Sequence, residues 1–140
     1  VLNANYLRYK IMQEAEAKGV GHLFCDGAPI DVVKHEFTLS FAPMKEEMGI
    51  GAMDIAKGLL DRGYMAPTVY FPLIVPECMM FEPTETESKD VLDEFAIKFV
   101  EVLQEDPDVL HAAPITTKVR RVDEVYAARN LVLSYPFDEE

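Results

Sequence analysis

Few side chains of this 140-residue chain could do chemistry, and none belongs to a known catalytic motif. The sequence lacks the Gly-x-Ser-x-Gly motif of serine nucleophiles, the phosphate-binding P-loop and the Gly-x-Gly-x-x-Gly of dinucleotide-binding folds. The spacing of His22 and Cys25 suits a metal ion, but no second pair with matching spacing follows. A structural role is therefore favoured for both residues, and we expect no metal site.

His35 and Glu36 are the strongest candidates for an active-site contribution. They stand where the clearest strand of the chain begins, and residues at strand ends often face ligands. A histidine at the edge of the core is the alternative interpretation. The carboxylates of Glu82, Glu85 and Glu87 could act as acids or bases, but their positions favour the capping of a helix.

Composition excludes several classes of function. The net charge of −12 makes nucleic acid and anionic membranes poor partners. Three prolines and Glu77 interrupt the longest apolar region, 65–81, which excludes a membrane-spanning helix there. Two cysteines and no visible signal peptide indicate a reducing, cytoplasmic location. The length predicts a single domain.

The elements that must position these residues follow from hydrophobic periodicity and from glycine and proline. A central joint, residues 71–89, predicts a hairpin with a short loop and then a helix capped by Thr84 and Glu87. That helix runs to about Gln104 and buries Val91, Leu92, Phe95, Phe99, Val102 and Leu103. The glycines at 49 and 51 could cradle phosphate before a helix, although close packing explains them equally well.

The remaining predicted elements complete a simple order. We expect a helix over 3–18 ended by Gly19, an edge strand over 20–24, a strand over 35–41 and a polar connection over 42–48. We further expect a helix over 52–62 that buries Met53, Ala56, Leu59 and Leu60, and strands over 68–75, 78–82 and 131–133. A further turn over 108–113 and a short helix over 124–129, capped by Asp123, complete the chain.

The fold class predicted from this order is α/β, in the form of a two-layer α+β domain with the order β-α-β-β-α. An N-terminal helix precedes this order and a C-terminal tail follows it. We divide the chain into a linking helix (1–19), an α/β core (20–105) and a tail (106–140). The tail carries the one basic cluster, Lys118, Arg120 and Arg121, for which a partner-facing role is expected.

Several segments together resemble one family, glycine dehydrogenase (decarboxylating) subunit 2, which is the P-protein of the glycine cleavage system. Each segment alone is weakly specific, but they occur in the family's order across nearly the whole chain. The matching segments are 2–7 (Leu-Asn-Ala-Asn-Tyr-Leu), 35–40, 52–57 with 59–61, 67–73, 82–89 (Glu-Pro-Thr-Glu-Thr-Glu-Ser-Lys), and 116–125 with 127–129.

The resemblance implies the small C-terminal domain of a fold type I pyridoxal-phosphate enzyme, an oxidoreductase of glycine catabolism. That family decarboxylates glycine and passes the aminomethyl group to the lipoyl arm of the H-protein. The implied partners are the large domain of the same subunit, P-protein subunit 1, the H-protein and glycine. Lys118, Arg120 and Arg121 would then face the acidic carrier protein or another subunit.

The resemblance also predicts what this chain lacks. The family's Schiff-base lysine lies in the large domain, and no lysine here matches its motif: Lys34 precedes a histidine in the reverse of the family's order, and Lys57, Lys89 and Lys98 lie on predicted helix surfaces. Residues 26–34 also depart from the family's pattern. We therefore expect no catalytic lysine, no pyridoxal phosphate bound by these residues alone, and no activity alone. Since the chain starts without methionine inside a predicted helix, we expect a piece of a longer protein.

An alternative from another class is a free-standing small-molecule-binding or regulatory module. The predicted order, with a last strand at 131–133, is also the order of ferredoxin-like folds. Many regulatory modules use that fold.

Overall fold

The structure is a computed structural model that describes residues 2–20 and 33–135. Residues 21–24 of the predicted strand at 20–24, the His22 and Cys25 pair and most of the 26–34 segment lie outside the described residues. Within the described ranges the elements are α1 (Leu2–Ala17), β1 (Phe37–Ser40), α2 (Ala42–Met48), α3 (Ala52–Asp61), β2 (Thr68–Val69), β3 (Cys78–Phe81), α4 (Lys89–Leu103), α5 (Pro107–Ala112) and α6 (Glu124–Arg129).

A small antiparallel sheet forms one layer, with strand order β1-β3-β2. Phe37 pairs with Phe81 on one side of β3, and Val69 pairs with Met79 on the other. All four residues of β3 are buried, as expected for a central strand with both faces covered. Met79 and Met80 both contribute to the core.

Helices cover this sheet and close the core. The Phe81 ring stacks on Phe37 at 4.9 Å and meets Phe99 of α4 edge-on at 5.2 Å. Such aromatic pairs add about 0.5–1.5 kcal/mol each beyond the apolar area that they bury. α1 also packs on α4. The buried residues of α1 recur every three or four positions, at Ala4, Leu7, Ile11 and Ala15. The chain therefore has the mixed α+β architecture that was predicted.

Four predicted boundaries are confirmed. Gly19 adopts a positive φ of 74° after α1, the conformation that glycine tolerates best at a helix end. Gln104 is the C-cap of α4. The Asp123 carboxylate accepts a hydrogen bond from the Tyr126 N–H at 2.8 Å and caps α6, which spans the predicted residues. The further turn near 108–113 is present as α5, one residue earlier.

The capping prediction for α4 was wrong. The helix begins at Lys89, and its N-cap is Ser88, whose hydroxyl accepts from the Val91 N–H at 3.4 Å. The carbonyls of Thr84 and Glu87 instead accept hydrogen bonds from the side-chain amide of Asn3. These contacts hold the 84–87 segment against α1, where it precedes the helix.

Other differences concern short elements. Residues 42–48 form α2 and not a polar connection, because Pro43 suits the first turn of a helix and Met44 is buried. In α3, Ala56 and Leu59 are buried as predicted. Met53 and Leu60, which were also expected to be buried, are only partly buried. Asp54 and Ile55 are buried in addition. In α4 the stripe includes Ala96 and Val100, whereas Val91 is 44% exposed.

Three predicted strands are shorter than expected or absent. β1 starts at Phe37 and not at His35. β2 ends at Val69, because Tyr70 takes a positive φ of 58°; the hairpin therefore has a long loop, residues 70–77. Leu73 and Ile74 lie in that loop with 86% and 90% of their surface exposed. Residues 131–133 are exposed and do not form a strand.

None of the helices in the described ranges is both long enough and apolar enough to cross a membrane.

Candidate functional site

The side chains of His35, Glu36 and Glu82 meet at one end of the sheet. Since Phe37 pairs with Phe81 in antiparallel register, the residues just before β1 and just after β3 lie opposite each other. His35 Nε2 lies 3.4 Å from Glu36 Oε2, and one polar atom from each of the three side chains lies within 4.8 Å of the others. The structure therefore unites the two predicted residues and adds Glu82, which sequence reasoning had assigned to capping.

This cluster is open to its surroundings. The His35 side chain is 72% exposed and that of Glu36 is 43% exposed. An exposed imidazole beside two carboxylates can exchange a proton and can donate a hydrogen bond to a polar ligand. Exposed groups of this kind often lie close together without binding a cation, so the arrangement alone does not define a metal centre.

An open groove of about 460 Å³ adjoins the cluster and shares Glu82 with it. Its wall is largely apolar and includes Leu7, Met65 and Phe95. Its charged lining residues are two acids, Glu82 and Glu87, and it has no basic side chain among the described residues that line it. Carboxylates repel phosphate, so the groove suits an apolar or cationic group better than an anion.

The start of α3 is not a phosphate site, although its glycines allowed that interpretation. Glu77 Oε2 accepts a hydrogen bond from the Ala52 N–H at 2.9 Å, and Asp54 Oδ2 accepts one from the Gly51 N–H at 2.9 Å. A Cβ atom at Gly51 would lie 2.4 Å from Glu77 Oε2. Glycine therefore leaves room for the Glu77 carboxylate, which a Cβ atom would displace. Two carboxylates of this chain occupy the positive end of the helix.

The predicted basic cluster divides into two parts. Arg121 Nη1 lies 2.8 Å from Oδ1 of the buried Asp54, and its Nε and Nη2 donate to the carbonyls of Ala113 and Leu110. The whole guanidinium is thus used within the chain. Lys118 and Arg120 are exposed.

A second acid of α3, Asp61, binds the chain just after α5. Its carboxylate accepts hydrogen bonds from the N–H groups of Ile115 and Thr116 and from the Thr116 hydroxyl, at 2.7–2.9 Å. Burial acts to raise the pKa of Asp61, but these hydrogen bonds and the charge of Arg120 outweigh it, and the pKa lies below its usual value of 3.8. Asp54 and Asp61 together fasten residues 113–121 to α3.

Comparison with known proteins identifies the family to which this chain belongs. Residues 1–123 match the family model described as the glycine dehydrogenase C-terminal domain. The chain belongs to the glycine dehydrogenase C-terminal domain family. The matched residues include the cluster of His35, Glu36 and Glu82, the groove, and Asp54 and Asp61 of α3.

Curated relatives of this glycine dehydrogenase domain carry the name "Probable glycine dehydrogenase (decarboxylating) subunit 2". The protein of Nitrosospira multiformis is 48% identical over 96% of this chain and 26% of its own length. That of Thermosipho melanesiensis is 48% identical over 100% of this chain and 28% of its own length. The protein of Treponema denticola is 49% identical over 96% of this chain and 27% of its own length. The chain spans about a quarter of the length of the curated relatives that it matches.

Membership of the glycine dehydrogenase family confirms the resemblance read from the sequence and does not support the free-standing ferredoxin-like module. The structure agrees, since the described residues contain three strands and residues 131–133 do not supply a fourth. Sequence reasoning missed the joining of Glu82 to His35 and Glu36. The antiparallel pairing of 37 with 81 would have revealed it, because it sets residue 36 opposite residue 82.

Proposed function

We propose that this chain acts as the C-terminal domain of a glycine-decarboxylating enzyme of the glycine cleavage system. The main support is that nearly the whole chain aligns, at 48% identity, with about a quarter of each of two proteins named as probable glycine dehydrogenase subunit 2. In this proposal the complete enzyme removes carbon dioxide from glycine with pyridoxal phosphate and transfers the aminomethyl group to the lipoyl arm of the H-protein. Subunit 1 and the H-protein are the proposed partners.

The proposal assigns pyridoxal phosphate to the large domain, and observations on two lysines and on the groove support this assignment. A lysine that forms a Schiff base must first lose its proton. Hydrogen bonds from Lys89 to Asp93 and to Tyr6 raise the pKa of Lys89 above its usual value, and Lys98 pairs with Glu101 at 3.0 Å. The groove offers carboxylates in place of the donors that a phosphate needs.

His35 and Glu36, with Glu82, are the proposed contribution of this domain to the active site. Their exposure at the end of the sheet supports contact with another domain, because a neighbouring surface can reach them without any change in the fold. The proposed role is to hold a proton and to bind a polar group of the substrate or cofactor. Lys118 and Arg120 are the proposed carrier-facing charges, while Arg121 would act by holding the segment that bears them.

The experiment is a chimera of the Thermosipho melanesiensis subunit 2 in which this chain replaces the matching quarter. With subunit 1, H-protein and pyridoxal phosphate, we expect glycine decarboxylation within tenfold of the parent enzyme. A matched chimera that carries an unrelated domain of equal length is the negative control. Decarboxylation no faster than in this control would refute the proposal.

Substitution of His35→Ala in the active chimera tests the proposed site. We expect about a tenfold loss of decarboxylation rate, which corresponds to about 1.4 kcal/mol of lost transition-state stabilisation. His111→Ala is the matched control, since His111 lies on α5 and contacts the Gly49 carbonyl at 3.4 Å. Equal rates for the His35 variant and the unaltered chimera would remove His35 from the active site.

A further inference from the structure

The groove that shares Glu82 with the His35 cluster has the size and shape of a small-molecule site. Its volume of about 460 Å³ lies within the range of about 300–1,000 Å³ that is typical of ligand pockets. Leu7 of α1, Met80 of β3 and Leu92 of α4 all line it, so elements that are far apart in sequence build its walls. A concave surface of this kind can surround a small molecule, which a flat apolar patch cannot do.

Aromatic rings form part of the apolar wall. Tyr64, Phe81 and Phe95 all line the groove. The Phe95 ring meets Tyr64 edge-on at 5.4 Å and Phe81 edge-on at 6.3 Å. Tyr64 and Phe95 are only partly buried, so part of each side chain remains open to a ligand. Because the face of an aromatic ring attracts a positive charge, these rings favour a cation in the groove.

The charges of the groove lead to the same kind of ligand. Glu82 and Glu87 are its charged residues, and none of the described lining residues is basic. A third acid lies close by, since Glu94 accepts a hydrogen bond from the Tyr64 hydroxyl. Burial and this hydrogen bond raise the pKa of Tyr64 above its usual value of 10.0, so the phenol is neutral and does not repel an anion or replace a carboxylate. The negative potential of the groove therefore comes from its carboxylates.

The acidic wall of the groove is held in place by contacts within the chain. The side-chain amide of Asn3 donates hydrogen bonds to the carbonyls of Thr84 and Glu87, at 2.7 Å and 3.0 Å. Both of these residues line the groove. A wall that is already ordered lowers the entropy cost of binding, since little of the protein must be fixed when the ligand arrives.

We propose that the groove binds a small organic cation, that is, an ammonium group on an apolar body. The ammonium group is held by the carboxylates and the aromatic rings, and the apolar body packs on the remaining wall. Charge complementarity decides for this ligand, because the carboxylates repel an anion and gain nothing from a neutral apolar molecule. The site uses only contacts within this chain and does not depend on the proposed function.

Titration of this chain with three small probes, followed by NMR of the backbone amides, tests the site. The probes are 2-phenylethylammonium, the neutral 2-phenylethanol and the anion phenylacetate, which share an apolar body and differ in charge. We expect the ammonium probe to bind about tenfold more tightly than the alcohol, because charged partners strengthen both hydrogen bonds and contacts with rings. The largest shifts should fall in residues 64–68, 80–84 and 91–95. Equal affinity for the three probes, or shifts centred elsewhere, would overturn the proposal.

A double variant tests the carboxylates. Glu82→Gln with Glu87→Gln should weaken binding of 2-phenylethylammonium by about tenfold, to the level of the alcohol. Glu46→Gln with Glu47→Gln is the matched control, because it changes the net charge equally on exposed residues of α2 that do not line the groove. An equal loss in both double variants would mean that net charge alone attracts the probe, and would contradict a site.

A charge added to the wall should reverse the preference. Val91 lines the groove and is 44% exposed, whereas Ile97 of the same helix is 38% exposed and is not among the described lining residues. Val91→Arg should prevent binding of 2-phenylethylammonium and should favour phenylacetate instead. Ile97→Arg should bind the probes as the unaltered chain does. Unchanged binding by the Val91 variant would exclude the groove as the place where the probe binds.

The chimera with the Thermosipho melanesiensis subunit shows whether the groove stays open in a longer protein. We expect 2-phenylethylammonium to bind the chimera with an affinity similar to that for this chain. Binding that is lost in the chimera would overturn the proposal, because the rest of the subunit would then cover the groove. Decarboxylation does not enter this test, so an inactive chimera that still binds the probe refutes the proposed function and supports the cation site.

Discussion

Arg121 illustrates how a single residue can be assigned to the wrong environment by its neighbours in sequence. Beside Lys118 and Arg120 it reads as part of an exposed basic cluster. In the structure its guanidinium uses all three of its nitrogens on Asp54 and two carbonyls. The planar fork of arginine suits this arrangement, and lysine could not reproduce it. The sequence does not reveal the contact, because 67 positions separate the two partners.

Replacement of Arg121 by alanine should lower the free energy of unfolding by about 1–2 kcal/mol. Asp54 is only 8% exposed in its side chain and would lose the charge that balances it, whereas Arg121 is 38% exposed and is partly screened by water. Urea unfolding measures the change. Arg120→Ala is the control and should have little effect. In the double variant with Asp54→Asn the losses should be less than additive; strict additivity would contradict the pairing.

Asp61 should make the attachment of Ile115 and Thr116 to α3 sensitive to acid. Because the folded pKa of Asp61 lies below 3.8, its carboxylate stabilises the folded state fully above that pH, and the stabilisation is lost as the pH falls through the folded pKa. Amide chemical shifts of Ile115 and Thr116, followed by NMR from pH 6 to pH 2, should change with a midpoint below 3.8. The Asp61→Asn variant should not show this transition. A midpoint above 3.8 would contradict the assignment.

At the scale of elements, sequence predicted long periodic helices well and short elements poorly. α1 and α4 have 16 and 15 residues, so several turns repeat the apolar pattern and fix their position. α2 has seven residues and one buried side chain, Met44, which is too little to form a pattern. β2 was overestimated because Leu73 and Ile74 are apolar, although Tyr70 and Pro72 end the strand before them.

Two substitutions before α4 test whether Ser88 caps the helix, as in the structure, or Thr84 does, as predicted from the sequence. Ser88→Ala should destabilise the chain by about 0.5–1 kcal/mol, since its hydroxyl caps the helix. Thr84→Ala should cost less, because the Thr84 hydroxyl contacts Thr86 and the contact to Asn3 uses the backbone carbonyl. Thermal unfolding of the two variants makes the comparison. A larger loss for the Thr84 variant would restore the capping box that the sequence predicted.

At the scale of the whole molecule, the fold class and the family could be predicted from sequence, but the candidate site could be predicted only in part. His35 and Glu36 were found because they begin a clear alternating strand. Glu82 was not, since its role depends on strand register. The division into a linking helix, a core and a tail stays a prediction, although α1 packs on α4 and α5 packs on α3.

Ile11→Ala tests whether α1 belongs to the core or only links it to another domain. Ile11 lies on α1 and is fully buried, so the variant should leave a cavity and lower the free energy of unfolding by about 2–5 kcal/mol. The midpoint of urea unfolding of this chain measures the loss. Met12→Ala, on the exposed side of the same helix at 39%, is the control. An unchanged midpoint for the Ile11 variant would mark α1 as an independent linker.

The narrow sheet has a consequence for how the molecule behaves in concentrated solution. Its two outer strands have four and two residues, and a helix begins two positions after one of them, while the backbone turns sharply just after the other. Long, flat strand edges template aggregation, and edges this short present few unpaired groups to a second chain. We therefore expect aggregation through the strand edges of this domain to require unfolding, so that the rate of this route follows thermal stability rather than protein concentration alone.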